Sequence, residues 1–100
     1  MNQQNEFDGE ATGLYHRSDR VDETRVGDRI VLYQRDRGTG VVLNPAGSSV
    51  WDALSEPRSS QDIVSDLLAR YDGAPPEKVA ADVDEYLTSL EAQALVRRTE

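Results

Sequence analysis

Apolar residues fall in short alternating runs over the first half of the chain and in helical stripes over the second. In Arg29-Ile30-Val31-Leu32-Tyr33-Gln34, Ile30 and Leu32 point one way and Val31 and Tyr33 the other, the period-2 pattern of a strand with apolar character on both faces. Val41, Val42 and Leu43 suit a second strand, and Val21, Thr24 and Val26 mark a more ragged one before both. Gly27-Asp28 is a two-residue turn signal, and the stretch from Arg35 to Gly40 is a polar, glycine-containing loop. These joins predict an antiparallel meander of three strands.

From Asn44 the period changes. Asn44 is a good N-cap, and Pro45 sits at the first helical position, where its missing N–H costs nothing. Ala46, Val50 and Leu54 recur at a spacing of four with Trp51 beside them, so a helix with one apolar face runs to about Ser55, ahead of Pro57. Ser59 with Asp62 resembles a capping box, with Asp where Glu or Gln is usual. Ile63, Val64, Leu67, Leu68 and Tyr71 then form a helical stripe that stops at Gly73. Pro75 and Pro76 open a last helix, apolar along Val79, Val83, Tyr86, Leu87, Leu90 and Ala94, and wet along Asp82, Asp84, Glu85 and Glu91. Leu95 and Val96, with Arg97 and Arg98, close the chain as a last turn or a short extended piece.

The order is three strands, then three helices. The fold class expected is α+β: a winged helix-turn-helix in which a three-stranded antiparallel sheet precedes three helices, over residues 20–98. Residues 1–19 are polar and aperiodic, and are expected to be a flexible N-terminal tail. Whether Tyr15 folds back onto the domain is left open by the sequence.

One hundred residues make one domain with a modest core. The chain has no Cys, which excludes disulfides and thiolate metal sites. Its net charge of −8 repels phosphate backbones and anionic lipid, so no nucleic acid and no membrane partner is expected. No apolar run reaches the length of a membrane span, and a cytoplasmic location is the default. A helix-turn-helix pattern keeps a DNA-binding regulator as an alternative, yet the segment from Ser59 to Tyr71 sets Asp62 and Asp66 against Arg70 alone.

Chemistry is sparse. His16 is the one histidine, and Ser48, Ser49, Ser59 and Ser60 have no histidine near them in sequence to serve as base. The acids of the two later helices lie opposite apolar stripes, as solvated faces do. Gly38-Thr39-Gly40 leads into a strand rather than a helix, against a phosphate loop. The expectation is a chain that is not an enzyme and carries no cofactor and no metal.

Leu43-Asn44-Pro45-Ala46-Gly47 followed by Val50-Trp51 and Leu54 resembles the strand-to-helix signature of PqqD-like proteins. Pro57-Arg58-Ser59 with Ile63-Val64, and Ala81-Asp82-Val83 with Tyr86-Leu87 and Leu90, resemble two further segments of that family, and Tyr15 to Ser18 with Val21 its usual beginning. The similarity runs from about Tyr15 to Val96. Asp62 stands where Glu is more usual, and no glycine precedes Leu95; both departures touch helix ends.

The resemblance implies a RiPP recognition element: a peptide chaperone that binds the leader region of a ribosomally made precursor peptide. It presents the core region to a tailoring enzyme such as a radical SAM enzyme, a cyclase or a leader peptidase. It also implies that the leader adds a strand beside Val41, Val42 and Leu43 and lies against a subset of Val79, Asp82, Val83, Tyr86, Leu87 and Leu90. The physics agrees, since a three-strand meander has an open edge that an extended peptide can complete. Leu87 and Leu90, like Trp51 and Leu54, read better as core; Val79, Val83 and Tyr86 stand between core and groove. The peptide-binding residues expected are therefore Val41, Val42, Leu43, Val79, Asp82, Val83 and Tyr86. A structural homodimer that pairs the same edge with its own copy is a further alternative.

Overall fold

A computed structural model describes residues 13–99. The chain order is β1 (Leu14–Arg17), β2 (Val21–Val26), β3 (Arg29–Gln34), β4 (Thr39–Leu43), α1 (Pro45–Ala53), β5 (Arg58–Ser59), α2 (Ser60–Arg70), α3 (Pro76–Ala92) and β6 (Val96–Arg98). The meander forms as the alternation requires: β2, β3 and β4 make one antiparallel sheet in that order. Gly27 takes φ 64° at the first position of the β2–β3 turn, a conformation only glycine adopts without strain. The inner face of this sheet carries Ile30, Leu32 and Leu43, all buried. The outer face carries Val26, Val31, Tyr33 and Val42, of which only Val31 is half-buried.

Asn44 caps α1 as expected: its Oδ1 accepts from the Gly47 N–H at 2.7 Å. Ser59 caps α2 by accepting from the Asp62 N–H at 3.1 Å. The core gathers the inner sheet face, Val50, Trp51 and Leu54 of the first helical turn-and-stop, Ile63 and Leu67 of α2, and Val83, Leu87 and Leu90 of α3. Ala46, read as part of the buried stripe, is exposed; Gly47 and Trp51 take its place on the inner face of α1.

A second antiparallel sheet, of order β5-β1-β6, was not expected. Leu14 and Tyr15 pair with Ser59 and Arg58, and Tyr15 to Arg17 pair with Arg98 to Val96. Residues 14–17, placed by the sequence in a flexible tail, are thus the central strand of a sheet; residues 1–12 of that expected tail lie outside the described residues. The strand escaped notice because its partners are two short, distant segments and its inward side chains are Tyr15 and Arg17. Arg17 counts as polar, yet its guanidinium lies over the Trp51 ring at 4.5 Å and donates to the Trp51 carbonyl at 2.7 Å. The closing piece, Val96–Arg98, takes the extended alternative.

α3 ends in a Schellman motif, with Ala94 N–H donating to the Glu91 carbonyl at 3.0 Å and Leu95 N–H to the Leu90 carbonyl at 2.9 Å. Ala94 holds φ 61°, a left-handed conformation that glycine adopts more readily than alanine. Gln34, buried at 2 %, ties this end to the sheet: its Nε2 donates to the Ala94 carbonyl at 3.0 Å while its Oε1 accepts from Asp36 N–H at 2.6 Å. No helix among the described residues is long and apolar enough to cross a membrane.

Candidate functional site

The open edges of the β2-β3-β4 sheet differ in chemistry. The β2 edge carries Asp22, Glu23 and Arg25, and α1 approaches it: Arg25 pairs with Asp52 at 2.7 Å, and the Trp51 indole N–H donates to Glu23 at 3.0 Å. That bond, ahead of the opposing effect of burial, and then Arg25 and Arg17, hold the Glu23 carboxyl below its ordinary range. Charge of this kind discourages strand addition. The β4 edge, Thr39-Gly40-Val41-Val42-Leu43, has no charge, and among the described residues no strand pairs with its far side.

Which groups β4 offers follows from the register. Antiparallel pairs alternate between those that exchange N–H···O bonds and those that do not. The Arg35 N–H donates to the Arg20 carbonyl at 3.0 Å, which fixes the phase next to the pairs Val21↔Gln34 through Val26↔Arg29. The bonded pairs are then Asp22 with Tyr33, Thr24 with Val31 and Val26 with Arg29, the last as a two-residue hairpin requires. Ile30, Leu32 and Gln34 accordingly turn their N–H and C=O toward Leu43, Val41 and Thr39. Gly40 and Val42 are left with both groups directed at the open edge.

β4 runs straight into Pro45, and two hollows meet there. One, of about 450 Å³, lies between Leu43, Pro45 and Ser48 on one side and Asp28 and Arg29 of the β2–β3 turn on the other. The second is a mostly apolar cleft of about 280 Å³. Pro45, Ala46, Ser49 and Val50 form one of its walls. Leu67 and Tyr71 of the α2 segment, with Val79, Asp82, Val83 and Tyr86 of α3, form the others. The Tyr86 hydroxyl donates to Asn44 Oδ1 at 2.8 Å, and a Cβ on Gly47 would come within 3.2 Å of the Tyr86 ring. Gly47 therefore lets the ring sit against α1. Ser49 and Tyr71 share a hydroxyl–hydroxyl bond of 2.5 Å at the same cleft.

Of the residues singled out by sequence, Val79, Asp82, Val83 and Tyr86 come together in the cleft. Val83 is core, at 1 % exposed, and also lines the floor of the cleft. Val41 and Val42 lie on the adjacent edge but line neither hollow; Val41 is half-buried over the core and Val42 is 56 % exposed on the outer face. Leu43 is buried and lines the first hollow. Leu87, Leu90, Trp51 and Leu54 are core. Sequence reasoning missed Pro45, Ser49, Leu67 and Tyr71. The signal for Tyr71 was its place at the end of the α2 stripe, which reads as core but leaves the residue 49 % exposed. In α2, Asp66 pairs with Arg70, so this helix offers no free cation to a phosphate backbone. Among the described residues no cluster of acidic and histidine side chains is arranged to hold a metal.

The family model described as coenzyme PQQ synthesis protein D (PqqD) matches residues 29–96. The chain belongs to the PqqD family. The match begins at β3 and ends at β6, so it contains the bare edge, Pro45 and the cleft. Among solved structures, this PqqD fold is similar to TbiB1 in complex with the TbiA(beta) leader peptide, with a TM-score of 0.75 and 28% identity over 82% of this chain and 94% of that one. It is also similar in fold to lasso peptide synthetase B1 complexed with the leader peptide, with a TM-score of 0.67 and 16% identity over 83% of this chain and 96% of that one. No curated protein matches the chain.

Proposed function

We propose that this PqqD-family chain binds the leader region of a ribosomally synthesised precursor peptide by strand addition to β4 and presents it to a tailoring enzyme. The observation that carries the reading is the uncharged β4 edge, with the N–H and C=O of Gly40 and Val42 turned outward, leading into an apolar cleft against α3. An extended peptide satisfies those groups and gains side-chain contacts at the same time. Val41, Val42 and Leu43 form the edge contact, and Val79, Asp82, Val83 and Tyr86 the cleft contact. TbiB1, solved with a leader peptide, supports the reading by its likeness over most of both chains. The domain acts as a binding module, and the covalent chemistry belongs to the partner: a radical SAM enzyme, a cyclase or a leader peptidase.

The test is a titration of the isotopically labelled chain with synthetic leader peptides encoded by precursor genes beside its own, followed by NMR. Amide shifts should concentrate at residues 40–47 and at Val79, Asp82 and Tyr86. Shifts confined to β1, β5 and β6, or none with any such peptide, refute the assignment. Sedimentation of the free chain separates the remaining alternative, since a dimer that leader peptide does not dissociate means that the edge is used for self-pairing.

A further inference from the structure

Gly40 is a poor strand residue in the middle of an exposed edge. Its own fold does not demand it: its φ is not in the left-handed region, and a Cβ there would meet its nearest neighbour, the Leu32 carbonyl oxygen, at an ordinary 3.8 Å. What it does is leave a gap on the outer face. Gly40 lies directly opposite Tyr33, which is 45 % exposed. The Tyr33 hydroxyl lies 3.7 Å from where a Cβ on Gly38, in the β3–β4 loop, would stand, and no Tyr33 atom comes within 4 Å of a Cβ on Gly40. The ring therefore leans toward the loop end of β4, and Gly40, its cross-strand partner, adds no side chain to the outer face beside it. Val42 and Val31 continue the apolar surface beside it, and among the described residues nothing covers this face.

In either strand direction, residues facing Gly40 and Val42 across the open edge carry their side chains on the same outer face. We propose that the leader is read on this face as well as in the cleft: one of its residues, aromatic or large and aliphatic, crosses the Gly40 gap and packs against the ring of Tyr33. Tyr33 and Gly40 are then specificity-determining residues for the outward half of the strand, and the residue two positions along lies beside Val42. The glycine keeps the ring reachable from an adjacent strand, where any side chain at position 40 would stand between them. This inference rests on strand addition at β4 and adds to it a second row of contacts.

The experiment pans the full chain and its Gly40→Val and Tyr33→Ser variants against a display library of random linear peptides. Thermal melts first confirm that the variants fold. The wild type should select peptides with an aromatic or large aliphatic residue at one fixed position of an alternating motif. Gly40→Val should lose the preference at that position and keep the rest of the motif. A peptide selected on the wild type should bind Tyr33→Ser about fivefold more weakly, the reach of a cross-strand aromatic pair. If both variants select the full motif and bind the wild-type peptide unchanged, the outward contact is wrong while strand addition stands. If the wild type selects no peptide, strand addition itself falls and the outward contact with it. Should Gly40→Val not fold, Tyr33→Ser alone decides, through the same loss of affinity or its absence.

Discussion

Proline at positions 41 and 42 separates the two sides of β4. Val42 turns its N–H to the open edge, so Val42→Pro removes a donor that no residue of the sheet uses. Val41 turns its N–H toward Leu32, which is fully buried, so Val41→Pro strips a ladder bond and leaves the Leu32 carbonyl short of a partner. The expected cost at Val41 is about 3 kcal/mol of stability. At Val42 it is under about 1 kcal/mol, because only strand preference is lost. Binding reverses the order of interest. A leader carbonyl that meets a proline ring forfeits its bond and stays desolvated, a loss of about 1–3 kcal/mol, or roughly five- to 150-fold in Kd. Thermal melts followed by the fluorescence of the single tryptophan, Trp51, measure the first quantity, and calorimetric titration with leader peptide the second. Val42→Pro should melt near the wild type and bind poorly. A Val42→Pro chain that melts as low as Val41→Pro refutes the register, and one that folds and binds normally refutes strand addition at this edge.

Three further outcomes follow from single residues. Ala94→Gly should raise Tm by several degrees in calorimetry, since glycine relieves the left-handed φ of 61° at about 0.5–1 kcal/mol net; a lower Tm contradicts the strain. Glu23→Gln should be modestly destabilising at neutral pH, because Glu23 has a depressed folded-state pKa and so stabilises the fold above the ordinary carboxylate range, an effect that solvent screening at this partly exposed group reduces. Urea melts at descending pH should show that difference closing as the pH falls through and below that range, and a difference independent of pH removes the charge from the explanation. Asn44→Ala and Tyr86→Phe should each destabilise, Asn44→Ala by about 1–2 kcal/mol as the lost cap. The double variant should fall short of their sum by about 1 kcal/mol, because both remove the same 2.8 Å bond; strict additivity would mean that the bond does not form in solution.

Much of the fold was legible because local and global signals coincide. Asn44-Pro45 caps and opens α1, Ser59 caps α2, and the alternation from Arg29 to Gln34 names the central strand of the meander. The second sheet was not legible. Its strands are short, its pairings reach from Tyr15 to Arg98, and its inward residues include an arginine whose burial depends on Trp51. The site divides in the same way. Helical spacing brought Val79, Val83 and Tyr86 to one side of α3, but that Tyr71 and Ser49 close the cleft depends on how α1 and α2 pack. The alternation of Val41 and Val42 was visible in sequence; which of them bonds inward was not, because that depends on the phase set at Arg20 and Arg35. Ala94 was visible as a missing glycine and became a strained position once its φ was known.

The unequal borders of the wing decide how empty copies of this chain can gather. Had both borders been bare, each molecule would add head to tail to the next and the series would never close, giving a filament. With Glu23, Arg25 and Asp52 guarding one border, only like can meet like. Any such pairing would use up both bare borders at once, so crowded empty copies would stop at a closed couple instead of growing into a fibre, and a leader peptide would compete for the same border.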